Sequence, residues 1–102
     1  MTLRVIIICF ILTGCIGNYK TGEQLYNSGD YEKAIAEFNK VLFVSITDLK
    51  SLHLRARSYE ELGELKKAEA DYRKILALDP EYAYAYTGIA KLAWDKGRFV
   101  EA

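Results

Sequence analysis

From Leu49 onward apolar residues return at 49, 52, 56 and 59, and from Leu65 at 65, 68, 72, 75 and 76. Steps of three and four place these side chains on one stripe of an α-helix, whose turn takes about 3.6 residues. The pattern predicts two amphipathic helices, over 49 to 62 and 64 to 78, that share a seam. Asp48 stands where the first helix wants an N-cap, and Gly63 offers the left-handed backbone that ends it. Asp79-Pro80 closes the second helix, because proline lacks an amide N–H and clashes with the preceding turn. Small Ala56 and Ala68 allow the pair to approach closely. The same reading places further helices over 20 to 28, 30 to 44 and 82 to 96, so the expected fold class is all-α.

The hydrophobic pattern also repeats at long range. Gly29, Gly63 and Gly97 are 34 residues apart, as are Ala34, Ala68 and Ala102, and as are Tyr31, Leu65 and Phe99. A fixed period of this size marks a stack of supersecondary units. The segment from 49 to 82 carries Leu52, Ala56, Tyr59, Gly63, Ala68, Tyr72 and Asp79-Pro80. It resembles the tetratricopeptide repeat, whose pattern places an aromatic residue, Leu-Gly, Tyr, then Ala-x3-Phe and Pro over one period. The segment from 15 to 48 resembles the same unit in divergent form. It keeps Gly22, Gly29, Tyr31, Ala34, Phe38 and Leu42, but has Asn18, Thr21 and Leu25 in its first helix and Ile46 where Pro is expected. A partial unit runs over 83 to 102 with Tyr86, Ile89 and Ala90. The resemblance implies a short helix-turn-helix solenoid of about two and a half repeats, with the three repeat glycines as turn devices. Gly97 to Ala102 are too few residues to predict a second helix for the third unit, so the stripe Tyr86, Ile89, Ala90 and Ala93 is expected to meet water in part. Such a stripe suggests a fragment of a longer lipoprotein, a homo-oligomer, or docking on another protein.

Residues 1–14 read differently. Val5 to Leu12 is a run of eight apolar residues behind Arg4. At 1.5 Å per residue such a helix reaches about 12 Å against a hydrocarbon core of about 30 Å, so the run reads as a secretory signal peptide instead of a membrane span. Leu12-Thr13-Gly14-Cys15 resembles the lipobox of bacterial lipoproteins. That resemblance implies cleavage before Cys15 and a diacylglyceryl group on its thiol. Acyl chains contribute about 0.8 kcal/mol per buried methylene, enough in pairs to hold a protein at a bilayer. The expected location is therefore the bacterial cell envelope, outside the cytoplasm, with the covalent lipid on Cys15 as the one attached group and no cofactor. Cys9 is filler within the apolar run.

Charge and composition remove other classes. From Cys15 onward 13 basic residues face 14 acidic ones, which argues against nucleic acid as a partner. Both cysteines lie in the first 15 residues and there is one His, which leaves no set of residues for a disulfide framework or a Cys/His metal site. There is no phosphate-cradling glycine loop and no Gly-x-Ser-x-Gly or His-Glu-x-x-His. The expectation is not an enzyme, with His53 a surface residue and Glu60-Glu61 on a solvated helix face.

Opposite the seam of the 49–62 helix stand Lys50, His53, Arg57 and Glu60. The same offsets give Tyr19, Glu23 and Tyr26 in the first unit, and Tyr84, Thr87, Lys91 and Trp94 in the third. In the tetratricopeptide family the first helices form a concave groove that binds partners, so these eleven residues are the candidate partner-binding positions. Tyr and Trp present rigid apolar area with a polar handle, and Arg57 and Lys50 suit acidic groups. Glu23 and Leu54 occupy places where the family's C-terminal-carboxylate clamp needs Asn, so that clamp is not expected. The function this reading predicts is a membrane-anchored protein-protein interaction scaffold, holding a protein or peptide. The alternative is a self-assembling structural subunit or a truncated fragment of a longer tetratricopeptide lipoprotein.

Overall fold

A computed structural model of the chain describes residues 17–101, the side chains of 96 and 98–101 excepted. The signal peptide and Cys15 expected from the sequence lie outside the described residues. Five helices follow one another: α1 (Tyr19–Asn27), α2 (Tyr31–Val44), α3 (Leu49–Glu61), α4 (Leu65–Leu78) and α5 (Ala83–Glu101). The described residues contain no strand. Each helix packs on the next, and α1 also touches α3. This is an all-α helical solenoid.

The turns at Gly29 and Gly63 are copies of one another. Their φ values are +83° and +76°. Gly29 N–H donates to Tyr26 O at 3.0 Å and Asp30 N–H to Leu25 O at 2.9 Å; Gly63 N–H donates to Glu60 O at 3.0 Å and Glu64 N–H to Tyr59 O at 2.8 Å. Two crossed bonds of this kind satisfy carbonyls that the helix end would otherwise leave unpaired. Gly97 departs from the expectation. It lies inside α5, with no positive φ, and the helix continues past 96 to Glu101. Glycine permits the left-handed turn without imposing it. At Gly29 and Gly63 the next helix packs back onto the previous one and holds the turn, and no such helix follows among the described residues.

Asp48 also corrects the sequence reading. It occupies the N-cap position of α3, but its side chain caps no backbone N–H. Its carboxylate instead accepts a hydrogen bond from the Ser51 hydroxyl, and Ser51 is fully buried. The side-chain cap is found at α1, where Asn18 Oδ1 accepts from Lys20 N–H at 2.9 Å.

The core contains Phe38, Leu42, Leu52, Ala56, Ala68, Tyr72 and Ile75. Large rings lie over backbone that carries no side chain: Phe38 over Gly22 and Tyr72 over Gly88, each so close that a Cβ on the glycine would collide with the ring. The α5 face that packs on α4 is Ala85, Gly88 and Leu92, with Ile89 half-buried, while Tyr86, Ala90 and Ala93 are exposed. The second helix of a unit would cover that exposed stripe. Between α2, α3 and α4, the partly buried Arg55 donates to both carboxylate oxygens of buried Asp71 at 2.7 and 2.8 Å and to Oδ1 of exposed Asn39 at 2.8 Å. One guanidinium thus ties three helices together.

Candidate partner-binding groove

The first helices of the repeats, α1, α3 and α5, bring six of the eleven candidate residues into two clusters, Tyr26, Arg57, Glu60 and Lys91 in one and His53 and Tyr84 in the other. The first centres on Glu60, in the last turn of α3. Its side chain is only 6% exposed, against the expectation of a solvated acid. Tyr72 of α4 donates its hydroxyl to Oε2, Arg57 Nε lies 3.6 Å from Oε2, and Lys91 Nζ of α5 lies 3.7 Å from Oε1. Oε1 is buried and has no hydrogen-bond partner. Burial works against the Arg57 charge, but the oxygens of Tyr26, Glu60 and Tyr72 outweigh it and raise its pKa. For Tyr72, burial and then the Glu60 carboxylate push the phenol far above its ordinary value, so it remains a donor. Three helices and α1's Tyr26 therefore assemble one buried carboxylate, two partly exposed cations and two phenols.

The second cluster centres on His53. Its ring stacks on Tyr84 with centroids 5.5 Å apart and an 18° interplanar angle, and meets Tyr82 edge-on at 5.7 Å. The Tyr82 hydroxyl lies 3.3 Å from Nδ1. His53 is thus half-buried in aromatic rings and not a free surface residue, which corrects the sequence reading. Burial lowers its pKa first, and the Arg57 charge lowers it further, with Glu60 opposing. The neutral imidazole is the form this site favours.

The remaining positions stand apart from these clusters. Tyr19 donates to Glu23 Oε2 at 3.0 Å within α1, and burial together with that carboxylate pushes its phenol up to about 12. Lys50 is exposed in the first turn of α3. Thr87 bonds back to Ala83 O at 3.2 Å, and Trp94 is 72% exposed near the end of α5. Sequence reasoning missed two members of the clusters, Tyr72 and Tyr82. Tyr72 belongs to the seam by period, yet its hydroxyl donates to Glu60 and its ring lies 6.5 Å, centroid to centroid, from that of His53. Tyr82 had a signal available in the alternation Tyr82-Ala-Tyr84-Ala-Tyr86 at the entry to α5. Among the described residues no three His, Cys, Asp or Glu side chains gather where they would hold a metal ion, and no helix is long and apolar enough to cross a membrane.

Two profiles of the family described as tetratricopeptide repeat match the chain, over residues 49–82 and 18–42, and together cover 59 of its 102 residues. The chain is a tetratricopeptide repeat protein. Relatives of this repeat protein include outer dynein arm-docking complex subunit 4 of Mus musculus, 31% identical over 78 residues, which are 76% of this chain and 12% of the relative. DnaJ homolog subfamily C member 3 of Homo sapiens is 33% identical over 72 residues, 71% of this chain and 14% of the relative. A tetratricopeptide repeat and J domain-containing co-chaperone of Fusarium oxysporum is 28% identical over 89 residues, 81% and 17% respectively. The chain spans between 12% and 17% of the length of these relatives. Protein–protein interaction is the role such repeats support.

Proposed function

We propose that this tetratricopeptide protein is a membrane-anchored interaction scaffold of the bacterial cell envelope, tethered by lipid on Cys15 and holding a protein or peptide partner in the groove formed by α1, α3 and α5. The observation that carries the reading is the charge imbalance around Glu60. Arg57 and Lys91 share one carboxylate, so the cluster has one positive charge in excess, and both cations are partly exposed. An acidic side chain or a chain-terminal carboxylate completes it, since guanidinium and ammonium groups form their strongest hydrogen bonds with carboxylates. The exposed edges of Tyr84 and the His53 ring beside it supply apolar area for a neighbouring residue of the partner. The relatives named for dynein-arm docking and co-chaperone work favour interaction over catalysis as the role.

The test is to express the full chain in a bacterial host, crosslink intact cells, and compare what the wild type captures with what a Tyr26→Ala/Arg57→Glu variant captures. One envelope protein retained by the wild type and lost by the variant supports the groove. Identical capture by both, or capture of the chain alone, sinks it. A second reading, self-assembly, is favoured by the exposed stripe Tyr86, Ala90 and Ala93 on α5. It predicts that Ala90→Glu converts a larger species to a monomer in light scattering, whereas the scaffold reading predicts no change.

A further inference from the structure

The chain enters the fold at the C-terminal half of α2. A Cβ on Gly17 would sit 2.5 Å from Lys40 Cβ and from the Val41 nitrogen, and Asn18 N–H donates to Glu37 Oε1 at 3.1 Å. Cys15 is two residues earlier, and two extended residues span at most about 7 Å. Any lipid on Cys15 is therefore attached close to the end of α2. That same end carries an apolar surface that no described residue covers. Phe43 is 88% exposed, Val44 66% and Ile46 75%. Phe43 and Ile46 join Leu42, Ala77 and Leu78 around a hollow of about 520 Å³, with Lys74 at its edge.

We infer that the turn between α2 and α3, residues 43 to 47, rests in the bilayer surface beside the lipid anchor as a second membrane contact. The inference depends on the proposal that Cys15 is acylated. Its occupant is the bilayer because the covalent geometry holds the anchor and the patch together: Val41, against which Gly17 lies, is about 4.5 Å of helix rise from Val44. Large apolar side chains next to a tether gain from burial at the headgroup boundary, while Lys74, which lines the hollow and lies 4.0 Å from Asp71, can keep its ammonium at phosphate level. The consequence is orientation. Leu49 and Glu60 are separated by eleven residues of α3, about 17 Å of rise, so the groove cluster is held at the far end of that helix from the membrane contact.

The experiment uses the full chain carrying Ile46→Cys, expressed in a bacterial host with a clickable fatty acid and purified as the lipoprotein. In the processed, acylated chain the new thiol is the free one, and it receives an environment-sensitive fluorophore. Emission is read in phosphatidylethanolamine/phosphatidylglycerol vesicles with and without bromine on the acyl chains. Phe43→Cys is a second probe at the patch, and Glu61→Cys serves as the control at the other end of α3. Blue-shifted emission at 43 and 46 that is lost with brominated lipid, and unchanged emission at 61, supports the inference. Fatty-acid incorporation without bromine quenching at 43 and 46 overturns it while leaving the anchor standing. A blue shift that bromine does not affect means that protein, a second copy or a partner, covers the patch, and also overturns it. Absence of the fatty acid overturns the anchor and this inference together.

Discussion

Lys91 Nζ of α5 stands 3.7 Å from the buried Oε1 of Glu60 on α3, and this contact joins the first helices of two successive repeats. The two residues are 31 apart in the chain, and α4 lies between their helices in sequence. Tyr72 of α4 reaches the same carboxylate from below, so Glu60 is where three helices report their relative positions.

Glu60→Gln removes the charge that Arg57 and Lys91 share and leaves one amide oxygen to accept from the Tyr72 hydroxyl. Losing a charged hydrogen-bond partner in a buried site costs about 1–3 kcal/mol. The expected outcome in urea unfolding is a lower midpoint with an unchanged m-value. The same variant raises the positive charge of the groove, so an acidic peptide captured by the wild type is held more tightly. Weaker capture by a folded Glu60→Gln would contradict the charge argument.

Arg55 and Asp71 form the other buried charge pair, in two-point contact. Truncating one partner strands the other, at a cost of about 3–5 kcal/mol, whereas replacing both costs less than the two single changes added. A double-mutant cycle of Arg55→Ala and Asp71→Ala by chemical denaturation measures the coupling. Asn39→Ala, which removes one hydrogen bond to the guanidinium, is expected to cost about 1 kcal/mol.

The glycines separate by backbone geometry. Gly63→Ala and Gly29→Ala place a Cβ at positive φ and are expected to destabilise by about 1–2 kcal/mol, although neither meets another atom. Gly97→Ala, in the interior of α5, is expected to stabilise that helix by up to about 1 kcal/mol. Thermal unfolding of the three variants distinguishes a turn at Gly97 from a helix, because a turn there would make all three changes unfavourable.

Gly88→Ala drives a methyl group into the Tyr72 ring. Overpacking of this kind costs about 1–3 kcal/mol. Since Tyr72 also holds Glu60, the variant is expected to disturb the groove as well as the core. Loss of peptide capture beyond what a Tyr72→Phe variant loses would trace that route.

His53 makes stability depend on pH. Its pKa in the fold lies below the ordinary 6.5, so the unfolded chain takes up a proton before the folded one does. Stability is therefore undiminished above pH 6.5, falls as the pH drops below it, and levels off once the folded state is protonated too. His53→Gln is expected to flatten this part of the profile in urea midpoints measured across the range. An unchanged slope would assign the dependence to other groups.

The period of 34 and the stripes at 3.6-residue spacing were enough to place five helices and the glycine turns at 29 and 63, because helix periodicity and backbone sterics act between neighbours in the chain. They also grouped Arg57, Glu60 and Lys91 as candidate partner-binding positions, and the structure brings these three side chains together. What they did not contain was burial. Glu60 looks solvated from its own helix and becomes buried because Tyr72, Arg57 and Lys91 close over it from three elements. Asp48 reads as a backbone cap but accepts from the buried Ser51 hydroxyl, and Gly97 reads as a turn but lies inside α5. Desolvation, ion pairing and the choice between turn and helix depend on which surface arrives from elsewhere, and that was decided only when the helices stacked.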